Sequence, residues 1–199
     1  MKFSLFRHSK GNRPMPAECS WEHFVESLST HDYTHTDKFM CPAFSPAEYK
    51  PGATRGNKGV VAVHMFVIDL DEVTEDEALS VLIKVHEMGL ASLAYTTWSH
   101  AENPWRMRVA IPLSKPVPAK LWPEFWVKAN AKFLSLCDKQ CKDPARVFFG
   151  PFAPAGTDED KFDEETGEII SSCNFIVVTE GVPLDVDLIM GLDAVELGD

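Results

Sequence analysis

Hydrophobic and polar positions alternate along this chain in two different rhythms, and the rhythms predict its elements. Residues 60–71 run Val-Val-Ala-Val-His-Met-Phe-Val-Ile-Asp-Leu-Asp, a β-branched, almost uncharged stretch that predicts a buried strand. Upstream, residues 1–20 carry Gly11, Pro14 and Pro16 among polar neighbours and read as an arm or loop. Residues 20–28 predict a short amphipathic helix: Ser20 is its cap, and Trp21, Phe24, Val25 and Leu28 recur at helical spacing. Residues 29–59 read as irregular, broken by Pro42, Pro46, Pro51 and Gly52, with a basic turn over 54–59 leading into the strand.

After Asp71, Thr74 and Glu77 form the pattern of a capping box. Ala78, Leu79, Leu82, Ile83, His86 and Met88 follow with helical spacing as far as Gly89. Residues 90–97 and 106–113 predict two further strands. Residues 119–136 predict a helix whose stripe of Leu121, Trp122, Phe125, Trp126, Ala129, Phe133 and Leu136 belongs in a core. A strand at 147–151, an acidic connection over 157–168 with a turn at 165–168, and a last strand at 169–179 complete the series. This order of strands and helices predicts an α/β or α+β fold, a mixed central sheet with flanking helices, to which an RRM-like core corresponds. With no internal repeat and no linker composition, residues 1–199 are expected to form one domain.

Composition narrows the class. Hydrophobic residues make up 45% and charged residues 25% of the 199 residues, as in an ordinary folded protein with one substantial core. No apolar run is long enough to span a membrane, and the N-terminus lacks the pattern of a signal peptide. The cysteines Cys19, Cys41, Cys137, Cys141 and Cys173 are odd in number and scattered. They read as free thiols of a reducing cytoplasm, with Cys137 and Cys141 on one helix face and no zinc pattern. The net charge of −11 argues against a general nucleic-acid coat but not against a local basic groove. Much of the acid lies in residues 158–165 and in the C-terminal tail.

The chemistry starts at the end of the central strand. Residues i and i+2 of a strand share a face, so Asp69 and Asp71 point the same way. Two carboxylates held so close repel unless a positive group relieves them. Either the strand simply runs out into solvent there, or a divalent cation with open positions for phosphate sits between them. Thr97, Ser99 and His100 end the next strand, with hydroxyls and an imidazole that suit phosphate oxygens. Arg106 and Arg108 share one face of the following strand, either as a solvated edge or as an anion clamp. Asp143 and Arg146 precede the strand at Val147, where the carboxylate is placed to close a metal site.

Taken in order, Val67-Ile68-Asp69-Leu70-Asp71, Thr97-Trp98-Ser99-His100, the stretch from Arg106 to Pro116 and Asp143-Pro144-Ala145-Arg146 resemble the motifs of the archaeo-eukaryotic primase superfamily. The nearest likeness is to the primase-polymerase domains of phages and plasmids, over about residues 54–151. The resemblance implies a DNA primase or polymerase acting in phage or plasmid replication. It would add nucleotides from nucleoside triphosphates on a single-stranded or primed DNA template with two divalent metals, Mg²⁺ or Mn²⁺. It implies that Asp69, Asp71 and Asp143 hold the metals, and that Thr97, Ser99, His100, Arg106, Arg108 and Arg146 bind the nucleotide. A replicative helicase is a further implied partner, and the location is the cytoplasm, that of the host cell for a phage product. Two departures stand out. Trp98 occupies a place where the family has a small residue, and Asp138 competes with Asp143 as the third acid. The alternative functions are a two-metal nuclease and a catalytically silent module that binds nucleotide or DNA and acts through a partner. The His100, Arg106 and Arg108 set favours the polymerase, because hydrolysis of DNA needs no triphosphate pocket.

Overall fold

The apolar run at Val60 does become a strand, Val60–Val73, and the elements that build the site are arranged around it. The computed structural model describes residues 1–101, 104–155, 161–162, 169–170 and 174–191. In chain order the elements are β1 (Lys2–Phe6), β2 (Met15–Glu18), α1 (Trp21–Ser27), β3 (Ala43–Ser45), β4 (Ala47–Tyr49), β5 (Val60–Val73) and α2 (Glu75–Glu87). Then come β6 (Ser92–Thr96), β7 (Trp105–Pro118), α3 (Trp122–Lys132), β8 (Phe148–Phe149), β9 (Lys161–Phe162), β10 (Ile169–Ile170), β11 (Ile176–Thr179) and α4 (Val186–Met190).

The central sheet has the order β11-β6-β7-β5-β4, and its strand pairs are antiparallel throughout. Both β5 and β6 flank β7, so they run parallel to one another while α2 carries the chain across. The fold is α+β, as the order of elements predicts, but the central sheet is antiparallel rather than mixed, because each strand pairs only with antiparallel neighbours. Phe66 marks the face of β5 on which α3 lies: its ring stacks on Phe133 at 5.8 Å and meets Phe125 edge-on at 6.2 Å. Ile68 and Leu70 share that face with Phe66 and are buried. Asp69 and Asp71 therefore point to the opposite face. The aromatic stripe of α3 is core, as expected, with Trp122, Phe125, Trp126 and Ala129 buried.

A second sheet, β2-β1-β3-β8, covers part of that opposite face. Here the structure differs from the expected arm. Residues 1–20 supply two paired strands, with Phe3 and Phe6 buried. Pro16 sits opposite Ser4 on the outermost strand, where a missing N–H costs nothing. The stretch 29–59 likewise contains β3 and β4, each three residues long and too short to show a period between its prolines. The strand at Phe148 joins this second sheet through β3 and stays out of the central one.

Helix α2 begins at the predicted capping box, Thr74 and Glu77 bonding each other's backbone. Its buried stripe is Ala78, Val81 and Val85, whereas Leu79 and Ile83 are exposed. A helix laid on a sheet buries one narrow stripe, and the apolar residues here outnumber it. The aromatic helix ends at Lys132, short of the expected 136, where Leu134 and Ser135 take the left-handed conformation. Cys137 and Cys141 consequently lie beyond that helix, although Cys19, Cys41, Cys137 and Cys141 are free thiols as expected. Of the expected last strand, β10 and β11 are strand, and β11 pairs with β6. The acidic segment 157–168 lies outside the described residues apart from β9, as do Cys173 and the C-terminal tail. Among the described residues no helix is long and apolar enough to cross a membrane.

Two half-buried histidines make stability depend on pH. His31 Nε2 lies 3.1 Å from the Thr96 carbonyl and 3.0 Å from its hydroxyl. His64 Nε2 lies 3.3 Å from Glu48 Oε2. Burial holds both imidazoles below the ordinary value of 6.5, despite these partners. The unfolded chain therefore takes up protons before the folded one does. Stability is full above about pH 6.5 and falls as pH drops through the window below it. Thermal melts at about pH 7.5 and about pH 5.5 should show this loss, and His31→Gln with His64→Gln should flatten it. An unchanged slope in that variant would assign the effect to other groups.

Candidate active site

The register between β5 and β7 decides the site. Asp69 stands opposite Arg108 and Asp71 opposite Arg106, so the two same-face pairs form two cross-strand rows, each an acid facing an arginine. Asp69 is 5% exposed, and Arg108 Nε lies 2.9 Å from its Oδ1. Arg108 Nη1 also donates to the Phe149 carbonyl at 3.2 Å, and Tyr95 donates its hydroxyl to the same oxygen at 2.8 Å. Burial alone would lower the pKa of Arg108, but Asp69 and Tyr95 hold it above its ordinary value. The second row is more open. Arg106 Nε lies 3.3 Å from Asp71 Oδ1, and Nη2 bonds Glu72. A β-bulge between Asp71 and Val73 puts Glu72 at φ 60°, which turns its carboxylate onto the same arginine. The arginines themselves thus relieve the repulsion between the two acids.

These residues open onto a cleft of about 320 Å³ between the central sheet and the second sheet. Its charged lining consists of Lys38, Arg55, Arg106, Arg108 and Arg146 against Asp69, Asp71 and Asp138, five cations facing three carboxylates. A chain of net charge −11 therefore presents a locally cationic cleft, suited to an anion. Among the described residues the buried Nε of Arg146 makes no hydrogen bond.

The third acid in this cleft is Asp138. Its backbone N–H donates to the Asp69 carbonyl at 2.9 Å, and its carboxylate lies 3.5 Å from Arg146 Nη2. One oxygen each of Asp69 and Asp138, together with Cys141 Sγ, fall within 4.8 Å of one another. Asp143, expected in that role, is exposed and is not part of the cleft lining; its Oδ1 accepts the Ala145 N–H at 2.9 Å. The 3-10 turn Lys139–Lys142 carries the chain away from the sheet between the two acids. The carboxylates of Asp69 and Asp138 suit hard divalent cations, which take carboxylate oxygens, and Asp71 faces the same cleft outside that 4.8 Å group. The Cys141 thiol, raised well above its ordinary value by its hydrogen bond with Cys137 and by burial, forms a neutral wall beside them.

Of the predicted phosphate ligands, Thr97 lines the cleft and is buried, its N–H bonded to the Arg106 carbonyl at 3.0 Å. Ser99 and His100 stand beside it rather than in the lining. Ser99 Oγ accepts from Lys38 Nζ at 3.4 Å. His100 Nδ1 accepts the Arg106 N–H at 3.1 Å, which places the ring proton on Nε2. The His100 ring is wedged edge-on against Trp105 and Phe175. Sequence reasoning missed Lys38, which lies in a proline-broken stretch with no motif around it. Arg55, in the basic turn over 54–59, lines the cleft and donates to the Ser9 carbonyl at 2.7 Å.

Comparisons with known proteins give a family. No curated protein matches the chain. Among solved structures, the archaeo-eukaryotic primase (AEP) domain of the cyanophage S-2L primase-polymerase is similar at a TM-score of 0.47 and 12% identity, covering 95% of this chain and 85% of that one. The polymerase domain of Mycobacterium tuberculosis Ligase D, in a complex with DNA, is similar at 0.42 and 13% identity, covering 94% and 69%. The family model of the VapE N-terminal domain matches residues 43–174, a span that holds every acid of the cleft and all of its arginines. This chain belongs to the VapE N-terminal domain family.

Proposed function

We propose that the chain is a template-dependent nucleotidyltransferase, a primase or polymerase that adds nucleotides from nucleoside triphosphates to a strand on single-stranded or primed DNA. The observation that carries this reading is the cleft itself: a carboxylate row and an arginine row in register, inside a lining with more cations than acids. The ordered motifs of the sequence support the same reading. A nuclease needs the acids but has no use for the surplus of phosphate donors.

In this reading Asp69, Asp71 and Asp138 would hold Mg²⁺ or Mn²⁺. The bound cations would supply activation of the strand's 3′-hydroxyl and charge neutralisation on the leaving pyrophosphate. The hydroxyl oxygen forms a bond to the α-phosphorus as the bond from that phosphorus to the pyrophosphate oxygen breaks. Arg106 and Arg108 would donate to non-bridging phosphate oxygens and spread the developing charge. By the resemblance of its motif, His100 is a further candidate to bind the nucleotide phosphates. Thr97 keeps the β6 end fixed on Arg106.

Chain length of a labelled DNA strand separates the two chemistries. A 5′-labelled primer annealed to a longer template should lengthen when metal and nucleoside triphosphates are both present and stay intact with metal alone. Shortening with metal alone would replace the polymerase with a nuclease.

A further inference from the structure

The cations of the cleft fall into groups by partner. Arg106, Arg108 and Arg146 each face a carboxylate, and Arg55 is tied to a backbone carbonyl. Lys38 has neither. Among the described residues its ammonium contacts the Ser99 hydroxyl at 3.4 Å and the Phe149 ring at 5.6 Å, and forms no ion pair. Burial, Arg108 and Arg106 lower its pKa, and Asp71 and Asp69 offset this only in part.

The residue after it adds a different chemistry. Phe39 lines the same cleft yet is 51% exposed, and the Lys10 ammonium lies 4.6 Å from its ring centroid. Both side chains come from the 3-10 turn Lys38–Met40, which Asp37 caps by accepting the Phe39 N–H at 2.9 Å. An ammonium without an ion pair beside an open aromatic ring, on a capped turn, is a composition suited to a ligand with both phosphates and a flat base. The turn precedes the family match, which begins at residue 43.

We propose that the Lys38–Phe39 turn grips the incoming nucleoside triphosphate, Lys38 donating to its phosphate chain and Phe39 stacking on its base. This rests on the reading of the cleft as a nucleotide site. It adds a wall to that site from the N-terminal part of the chain, opposite the arginine row.

Titration of the full chain with inorganic tripolyphosphate and with adenosine triphosphate, each with Mn²⁺, tests it. Lys38→Met should weaken both about tenfold, and Lys38→Arg should restore both. Phe39→Ala should weaken adenosine triphosphate about fivefold and leave tripolyphosphate unchanged. Thermal melts confirm that each variant is folded. Wild-type affinity in both Lys38→Met and Phe39→Ala overturns the inference while the cleft remains a nucleotide site. Equal loss of both ligands in Phe39→Ala overturns the stacking role. A wild-type chain that binds neither ligand overturns the nucleotide site, and this inference with it.

Discussion

Asp69→Asn combined with Asp71→Asn is expected to reduce nucleotide incorporation by roughly 10³-fold or more while the protein remains folded. The substitution removes two negative charges and changes no side-chain volume of consequence. An amide oxygen at position 69 still accepts from the Arg108 guanidinium, so the β5–β7 register keeps its cross-strand contact. What is lost is the ability to hold cations: two of the three carboxylates facing the cleft become neutral, and Asp138 alone remains. Single-turnover primer extension, with a thermal melt of the same sample, separates lost chemistry from lost fold. Undiminished extension in a folded double variant would remove these acids from the mechanism.

Arg108→Met carries the largest expected effect on stability, a loss of about 3–5 kcal/mol. Asp69 is 5% exposed, and removing its cation leaves a carboxylate in the sheet interior with no counter-charge. The Phe149 carbonyl also loses a donor. Adding Asp69→Asn should recover much of the loss, because the uncompensated charge is then gone. The neighbouring row provides the contrast. The side chains of Arg106 and Asp71 are 26% and 57% exposed, and solvent screens them, so Arg106→Met should cost no more than about 1 kcal/mol. Urea unfolding of these three variants and of the wild-type chain measures these differences. An Arg108→Met chain as stable as Arg106→Met would mean that the inner pair is not sealed from water.

The part of the site that lies on long strands was legible in the sequence. Asp69, Asp71, Arg106 and Arg108 sit on strands of fourteen residues, where period two fixes the facing of each side chain. The sequence could not say that the two pairs stand in register, because register depends on bulges at Val63/Met65 and Asp71/Val73. Those bulges leave no mark in the polarity pattern. The choice between Asp138 and Asp143 turned on a four-residue 3-10 turn, an element too short for any period. The N-terminal sheet was hidden for a similar reason. The three of its strands before residue 46 have three to five residues in segments that contain prolines, so those segments read as loop. Lys38 and Phe39 were lost with them, since their role depends on the packing of that sheet across the cleft. Helix α2 failed in the opposite direction: it has more apolar residues than the sheet can cover, so spacing alone chose Leu79 and Ile83 over Val81 and Val85.

The central claim is that this cleft joins nucleotides under the direction of a template. The most direct measurement offers each labelled nucleoside triphosphate in turn to primed homopolymer templates with Mg²⁺ or Mn²⁺, beside the Asp69→Asn, Asp71→Asn chain. The account predicts that label enters only opposite its complementary base and vanishes in the variant. Incorporation that ignores the template, or that survives loss of both acids, would contradict it.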